Sequence, residues 1–340
     1  MRKVNVLIAG STGYIGIQLI KLLIKHKNVK IKYLCGSSNV GKNINTFDKS
    51  IKSKYLPKII KYKKELLKNV DVIFTALPNG KAQKISNHLL NHNTLIDLSA
   101  DFRLVNLKDY LRWYKIKHSS IKNIKKSVYA LPEINRNIIK DYKIISCPGC
   151  YPTSILIPLI PLIKKNLIKC KNIIIDSKSG YSGAGRKIHK LNKSKNLYDS
   201  LSPYGVKNHR HNSEIQQELN LKTKKKVEFT FTPHLSPMFR GILSTIYVDT
   251  NSNINTSKIF NYLKKYYKNE KYINITQQNK MISTNDVINT NVCKISVCES
   301  KVKDKIIILS AIDNLIKGGS GQAIQNFNIK FNFNESLGIS

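Results

Sequence analysis

The residues best placed to do chemistry are Ser146-Cys147-Pro148-Gly149-Cys150-Tyr151-Pro152-Thr153, which follow one apolar run and precede a longer one. A cysteine sited where a strand gives way to a helix has its thiolate stabilised by the helix N-terminus. Pro152 suits an opening helical turn, because its missing N–H would find no partner there. Four readings compete for the Cys-x-x-Cys spacing. A redox dithiol wants a small βαβ context of its own. A zinc site would recruit His209 and His211, whose His-x-His spacing is shorter than a finger uses. An inert buried thiol is the plainest alternative. Cys150 opens the helix whereas Cys147 lies on the strand side, so the nucleophilic reading of Cys150 is favoured and no metal is expected.

A nucleophilic thiol needs an acid/base group nearby in space, typically histidine. Asn208-His209-Arg210-His211-Asn212-Ser213-Glu214 supplies one. His211 and Glu214 are three apart, so on a helix they share a face and Glu214 is placed to orient the imidazole. His26, His88, His92, His118 and His189 sit in Lys/Asn-rich stretches and read as solvated. The glycine-dense stretch Ser179–Arg186 offers amides, hydroxyls and a guanidinium to an anion. Together with Asp97–Arg103 and Phe239-Arg240-Gly241 it points to an anionic substrate, with Arg103, Arg186 and Arg240 as its contacts.

Gly10-Ser11-Thr12-Gly13-Tyr14-Ile15-Gly16 falls between an apolar run and a helical pattern. This G-x-x-G-x-x-G spacing meets the demands of a dinucleotide site: a tight turn, close backbone approach to a pyrophosphate and a helix N-terminus facing negative charge. After the second strand an NAD-type site places a carboxylate on the ribose. Here Gly36-Ser37-Ser38-Asn39-Val40-Gly41-Lys42 precedes the first carboxylate, Asp48. Its hydroxyls, amide and Lys42 favour a 2′-phosphate, hence NADP(H).

These motifs need particular elements around them. Strands are predicted at Val4–Ala9, Val29–Cys35, Val70–Ala76, Thr94–Leu98 and Ile144–Ser146, with helices at Tyr14–His26 and Lys81–Asn91. That alternation indicates an α/β fold with a Rossmann-type parallel sheet. Beyond residue 150, strand-like runs at Asn172–Asp176, Val227–Thr232, Ile242–Asp249, Val292–Val297 and Lys305–Ser310 suggest an α+β domain with a mostly antiparallel sheet. The low-complexity stretch 251–280 reads as a surface helix and loop, and a helix over about Gly318–Phe327 closes the chain. The expected division is a cofactor domain over 1–149 followed by this second domain.

Bulk composition narrows the class. At 340 residues two domains are the natural prior. The longest apolar run, Ile155–Ile163, is broken by Pro158 and Pro161, so no membrane span is expected. The N-terminal apolar run enters the glycine motif without a cleavage-like site, which reads as a first strand in a cytoplasmic protein. Six cysteines in this setting read as thiols rather than a disulfide frame. The net charge of +38 resembles a nucleic-acid footprint. Yet 51 of the 58 cationic residues are lysines, rising together with Asn and Ile as AT-rich coding would make them. No lysine falls in Val4–Ile20, Leu95–Leu107, Ile144–Ile163 or Val227–Ser257. A basic surface without specific nucleic-acid binding is the expectation.

Taken together the chain resembles the N-acetyl-γ-glutamyl-phosphate reductase family almost end to end. The likeness is carried by the glycine motif, Asp97–Arg103, Tyr129-Ala130-Leu131-Pro132-Glu133, Pro148–Thr153, Ser179–Arg186, and His209-Arg210-His211 with Glu214. It continues through Phe231-Thr232-Pro233-His234, Arg240–Leu243, Asp313–Gly318 and Gly321-Gln322-Ala323. The resemblance implies NADPH-dependent reduction of an acyl phosphate in arginine biosynthesis, with Cys150 as nucleophile, His211 as acid/base and Asn314 near the nicotinamide. It also implies a catalytic and dimerisation domain over 150–312, a segment 313–340 returning to the first domain, and a homo-oligomer, dimer or tetramer. Expected cofactor contacts are Gly10 to Gly16, Ser37, Ser38, Leu77, Pro78, Ser182, Gly183 and Asn314, and His209 joins the arginines on the substrate. Related reductases of aspartyl phosphate, or of carrier-linked aminoadipyl or glutamyl phosphate, remain as alternatives. Departures are Cys147, the Gly319-Ser320 pair and Pro158, none of which touches the implied chemistry.

Overall fold

Val4–Ala9 carries apolar side chains on both faces, as an interior strand of a covered parallel sheet must, and it forms β1 in the computed structural model, which describes residues 2–52, 55–186 and 199–339. The further strands of this unit are β2 (Val29–Cys35), β3 (Ile59–Ile60), β4 (Val72–Thr75), β5 (Thr94–Asp97), β6 (Ser127–Tyr129) and β7 (Ile144–Ser146). They assemble in the order β3-β2-β1-β4-β5-β7-β6, every neighbouring pair parallel. The helices between them are α1 (Tyr14–Leu23), α2 (Lys81–Ser86), α3 (Leu107–Tyr114), α4 (Ile121–Ile124) and α5 (Pro132–Ile139). The chain lays β2 and β3 on one side of β1 and the later strands on the other. The β1/β4 boundary is therefore a switch point, where open α/β sheets hold ligands at their carboxyl ends.

The second unit spans Gly149–Gly318. It contains α6 (Cys150–Lys164), β8 (Ile173–Gly180), β9 (Ser202–Pro203), α7 (His211–Thr223), β10 (Phe229–Ser236), β11 (Ile242–Asp249), α8 (Thr256–Tyr266), β12 (Ile273–Ile275), β13 (Cys293–Glu299) and β14 (Lys305–Ile312). The sheet order is β12-β13-β14-β11-β8-β10-β9, with four antiparallel pairs and two parallel ones, β12/β13 and β8/β10. Helix α6 packs on β11, β14, α7 and α8, and every residue from Tyr151 to Ile163 is buried. Pro158 and Pro161 do not break it. Pro161 cannot donate to the Ile157 carbonyl four residues back; the Tyr267 hydroxyl donates there instead, at 2.5 Å. Residues 319–340 belong to the first unit, carried by α9 (Gly321–Lys330). There Asn328 Oδ1 accepts from His26 Nε2 at 2.9 Å, and the Gln325 amide donates to Glu133 Oε1 at 3.1 Å.

The fold class is as the patterning predicts, and the differences are local. Helix α1 stops at Leu23, short of His26, and α2 ends at Ser86, not Asn91. Ser179 and Gly180 are strand residues, not loop, because they pair with β11 and β10. The change of unit falls after Gly318, so 313–318 stay with the second unit. His26 and His118 are buried and hydrogen-bonded, to Asn328 and to the Asp101 carbonyl, rather than solvated; His189 lies outside the described residues. Among the described residues no helix is long and apolar enough to cross a membrane.

Candidate active site

In the first unit the glycine motif closes the end of β1. Gly10 has φ of +88°, and a Cβ there would lie 2.2 Å from the Ala76 carbonyl oxygen. A Cβ on Gly16 would meet the Gly10 oxygen at the same distance. Both positions are therefore glycine for steric reasons inside the turn. Gly13 meets nothing closer than 3.5 Å, which leaves its backbone open to a ligand. The turn borders a cavity of about 660 Å³ at the β1/β4 switch point. Of the expected cofactor contacts, Gly10, Thr12, Gly13, Ser37, Ser38, Leu77 and Pro78 line it. Ser11 does not, being buried with its hydroxyl donating to the Cys35 carbonyl at 3.2 Å. Tyr14, Ile15 and Gly16 are the start of α1 behind the turn.

Lys42, read as the 2′-phosphate cation, is exposed and does not line this cavity. Lys61, Lys81, Lys84 and His88 do. Sequence reasoning missed Lys61 because it is remote from Ser37 along the chain. Parallel pairing of Cys35 with Ile60 brings the two together. The shape, the glycine turn and this cationic rim fit a phosphorylated dinucleotide.

In the second unit Cys150 is the first residue of the fifteen-residue α6 and is partly exposed. His211 is the first residue of α7 and is buried. Glu214 is fully buried. Its Oε2 is 4.0 Å from His211 Nε2, while its Oε1 accepts the Gly149 N–H at 2.7 Å. The expected orienting carboxylate thus also braces the turn that presents Cys150. One helical turn further, burial pushes the Glu218 carboxyl up to about 7.

His209, expected on the substrate, is held by protein instead. Its Nδ1 accepts the His211 N–H at 3.3 Å, and its ring meets Tyr151, Tyr204 and Phe231 edge to face. Burial lowers its pKa to about 4, so the ring is neutral and able to accept. Arg240 is also engaged: its Nε lies 3.0 Å from Asp313 Oδ2 and its Nη1 donates to Asn289 at 2.5 Å. Arg103 is buried and donates to the Cys147 carbonyl at 2.8 Å. Arg186 is exposed. Asn314, Ser182 and Gly183 come together: the Asn314 amide donates to Ser182 Oγ at 2.9 Å, and its oxygen accepts the Gly241 N–H at 2.7 Å. Among the described residues no His, Cys, Asp or Glu cluster is arranged to hold a metal.

Comparison with known proteins decides the family. Residues 5–142 match the model of the semialdehyde dehydrogenase NAD binding domain, and residues 150–314 that of the semialdehyde dehydrogenase dimerisation domain. The N-acetyl-gamma-glutamyl-phosphate reductase of Vesicomyosocius okutanii subsp. Calyptogena okutanii is 44% identical over 99% of this chain and 98% of its own length. That of Clostridium beijerinckii is 42% identical over the same shares. The chain belongs to the N-acetyl-gamma-glutamyl-phosphate reductase family. The probable chloroplastic reductase of Arabidopsis thaliana is 38% identical, covering 99% of this chain and 84% of that protein. Aspartate semialdehyde dehydrogenase II of Vibrio cholerae, solved in complex with ASA, superposes with a TM-score of 0.72, covering 98% of this chain and 99% of that one. At 16% identity the likeness to this chain is one of fold.

The two cysteines of this reductase-family motif are unequal. Cys147 is fully buried, its Sγ accepts from the Asn326 amide at 3.7 Å, and burial pushes its thiol up to about 12. Cys147→Ala is expected to keep turnover within about twofold, as a volume-reducing change away from reacting atoms. Iodoacetamide at pH 8 should label Cys150 and leave Cys147 unmodified in the folded protein. Loss of activity in Cys147→Ala would restore the dithiol reading.

Proposed function

We propose that the chain reduces N-acetyl-γ-glutamyl phosphate to N-acetyl-L-glutamate 5-semialdehyde and phosphate with NADPH, through a thioester on Cys150, in arginine biosynthesis. The reading is carried by Cys150 opening α6 in a turn braced by Glu214, within a chain 44% identical to a reductase of that name. The Gly10–Gly16 turn, Ser37, Ser38, Leu77 and Pro78 hold the dinucleotide, and Ser37 and Ser38 with Lys61 face its 2′-phosphate.

The Cys150 thiolate, favoured by the positive end of α6, attacks the γ-acyl carbon. The carbon–oxygen bond to phosphate breaks, phosphate leaves and a thioester remains. When bound, the reduced nicotinamide supplies the hydride that takes the acyl group to the aldehyde level. His211 holds the proton released by the thiol, lends it to the substrate oxygen as negative charge grows there, and takes it back as the carbon–sulfur bond breaks. The N-terminus of α6 stabilises that oxyanion. Arg186 contacts the substrate's anionic groups. Arg240 and His209 act by holding the turns around the site, and Arg103 by holding the Cys147 backbone within the first unit. The enzyme works in the cytoplasm as a homo-oligomer, dimer or tetramer, which the dimerisation-domain match of residues 150–314 supports.

A substrate panel tests this. Phosphate-dependent NADP⁺ reduction is measured side by side with N-acetylglutamate semialdehyde, aspartate semialdehyde and a carrier-linked semialdehyde. The expected kcat/KM preference for the first is on the order of 10²-fold or more, as a site built around a polar acetamide would give. A preference for either competitor would overturn the assignment.

A further inference from the structure

The chain leaves β14 through Asp313 and enters a single π turn, Ile316–Ser320. The Gly318 N–H donates to the Asp313 carbonyl five residues back, at 2.9 Å. Such π turns are rare and recur at functional sites. This one is pinned from inside. Asp313 is fully buried, and its Oδ1 accepts the N–H groups of Leu315 and Ile316 at 2.9 and 3.1 Å. Its Oδ2 accepts the Asn289 N–H at 2.7 Å and pairs with Arg240. Lys317, also fully buried, lies with its Nζ 5.6 Å from the centre of the Tyr272 ring.

What the pinned turn touches is Cys150. A Cβ on Gly318 would stand 2.6 Å from Cys150 Cβ, closer than real Cβ atoms approach, and a tight 3.0 Å from its Cα. Only a residue without a side chain lets the π turn lie against the cysteine.

We propose that this turn positions the nucleophile: Gly318, fixed by Asp313, holds the Cys150 side chain against the start of α6, and is a positioning residue of the reaction. The proposal rests on the reading of Cys150 as the nucleophile. It explains why Arg240, read from sequence as a substrate contact, is bonded to Asp313. Their pair secures the turn, and the turn sets the thiol.

Gly318→Ala tests it. The added methyl must displace Cys150, so kcat is expected to fall about 100-fold, the usual cost of misplacing a reacting group by an ångström. KM for the acyl phosphate and NADPH affinity, read by fluorescence titration, should stay near wild type. The pH midpoint for alkylation of Cys150 by iodoacetamide should rise as the thiol leaves the helix N-terminus. Unchanged kcat and an unchanged alkylation profile would overturn the proposal. A second variant tests the contact without activity. In the Gly318→Ala background, Cys150→Gly should recover most of the lost Tm, or of the soluble protein if the single variant does not fold, because it removes the opposing Cβ. No recovery would show that the methyl clashes elsewhere and sink the proposal. If alkylation of Cys150 leaves wild-type turnover intact, the nucleophile reading itself fails. If alkylation inactivates wild type while Gly318→Ala behaves normally, only the positioning role fails.

Discussion

Cys150→Ser is expected to lower turnover of N-acetyl-γ-glutamyl phosphate by on the order of 10⁴-fold or more, as removal of a covalent nucleophile does elsewhere. The serine hydroxyl keeps the shape of the site but is not ionised near neutral pH, so the helix N-terminus has no anion to stabilise. NADPH binding should survive, because the dinucleotide cavity is lined by residues between Ala9 and His88 alone. The Tm should change little, since Cys150 is only partly buried. Measuring burst-phase phosphate release, dissociation of NADPH and Tm on one preparation separates these outcomes. Wild-type-like release of phosphate from Cys150→Ser would remove the thioester from the mechanism.

His211→Asn is expected to slow the reaction by about 10²–10⁴-fold, the usual worth of a general acid/base. The amide fits the start of α7 but cannot shuttle a proton. Glu214→Gln provides the contrast. Its amide oxygen can still accept the Gly149 N–H, so the cysteine turn should hold, while the negative charge near His211 is lost. The expected signature is a smaller fall in kcat than for His211→Asn, with the basic limb of the pH–rate profile moved to lower pH. An unchanged rate in His211→Asn would move the acid/base role to another group.

How much of this was legible in the sequence depended on how local each constraint is. The Gly10–Gly16 turn and the Cys150 turn announce themselves because strand, tight turn and helix follow one another within a dozen residues, and each glycine or proline answers a need of its own neighbourhood. Strands β3 and β6 were not legible: two and three residues long, they exist only through pairing with β2 and β7. The direction an arginine faces is also set by the fold. Arg103 looks like an anion contact beside Asp97 and Asp101, yet the Cys147 carbonyl, 44 residues away, turns it inward. His209 reads as a substrate contact, yet the ring cluster around it makes it a neutral acceptor for the His211 N–H. Pro158 and Pro161 interrupt the apolar run in the sequence, but the helix continues through them, and a hydroxyl from Tyr267 replaces the donor that Pro161 lacks. The contact of Gly318 with Cys150 joins residues 168 positions apart and had no sequence signal.

The most direct test of the central claim is mass spectrometry of the enzyme mixed with N-acetyl-γ-glutamyl phosphate in the absence of NADPH. One acyl adduct is expected, mapped by proteolysis to the peptide bearing Cys150, released on addition of NADPH, and absent from Cys150→Ser. An adduct on Cys147 or on any other residue, or rapid turnover with no acyl-enzyme formed, would contradict it.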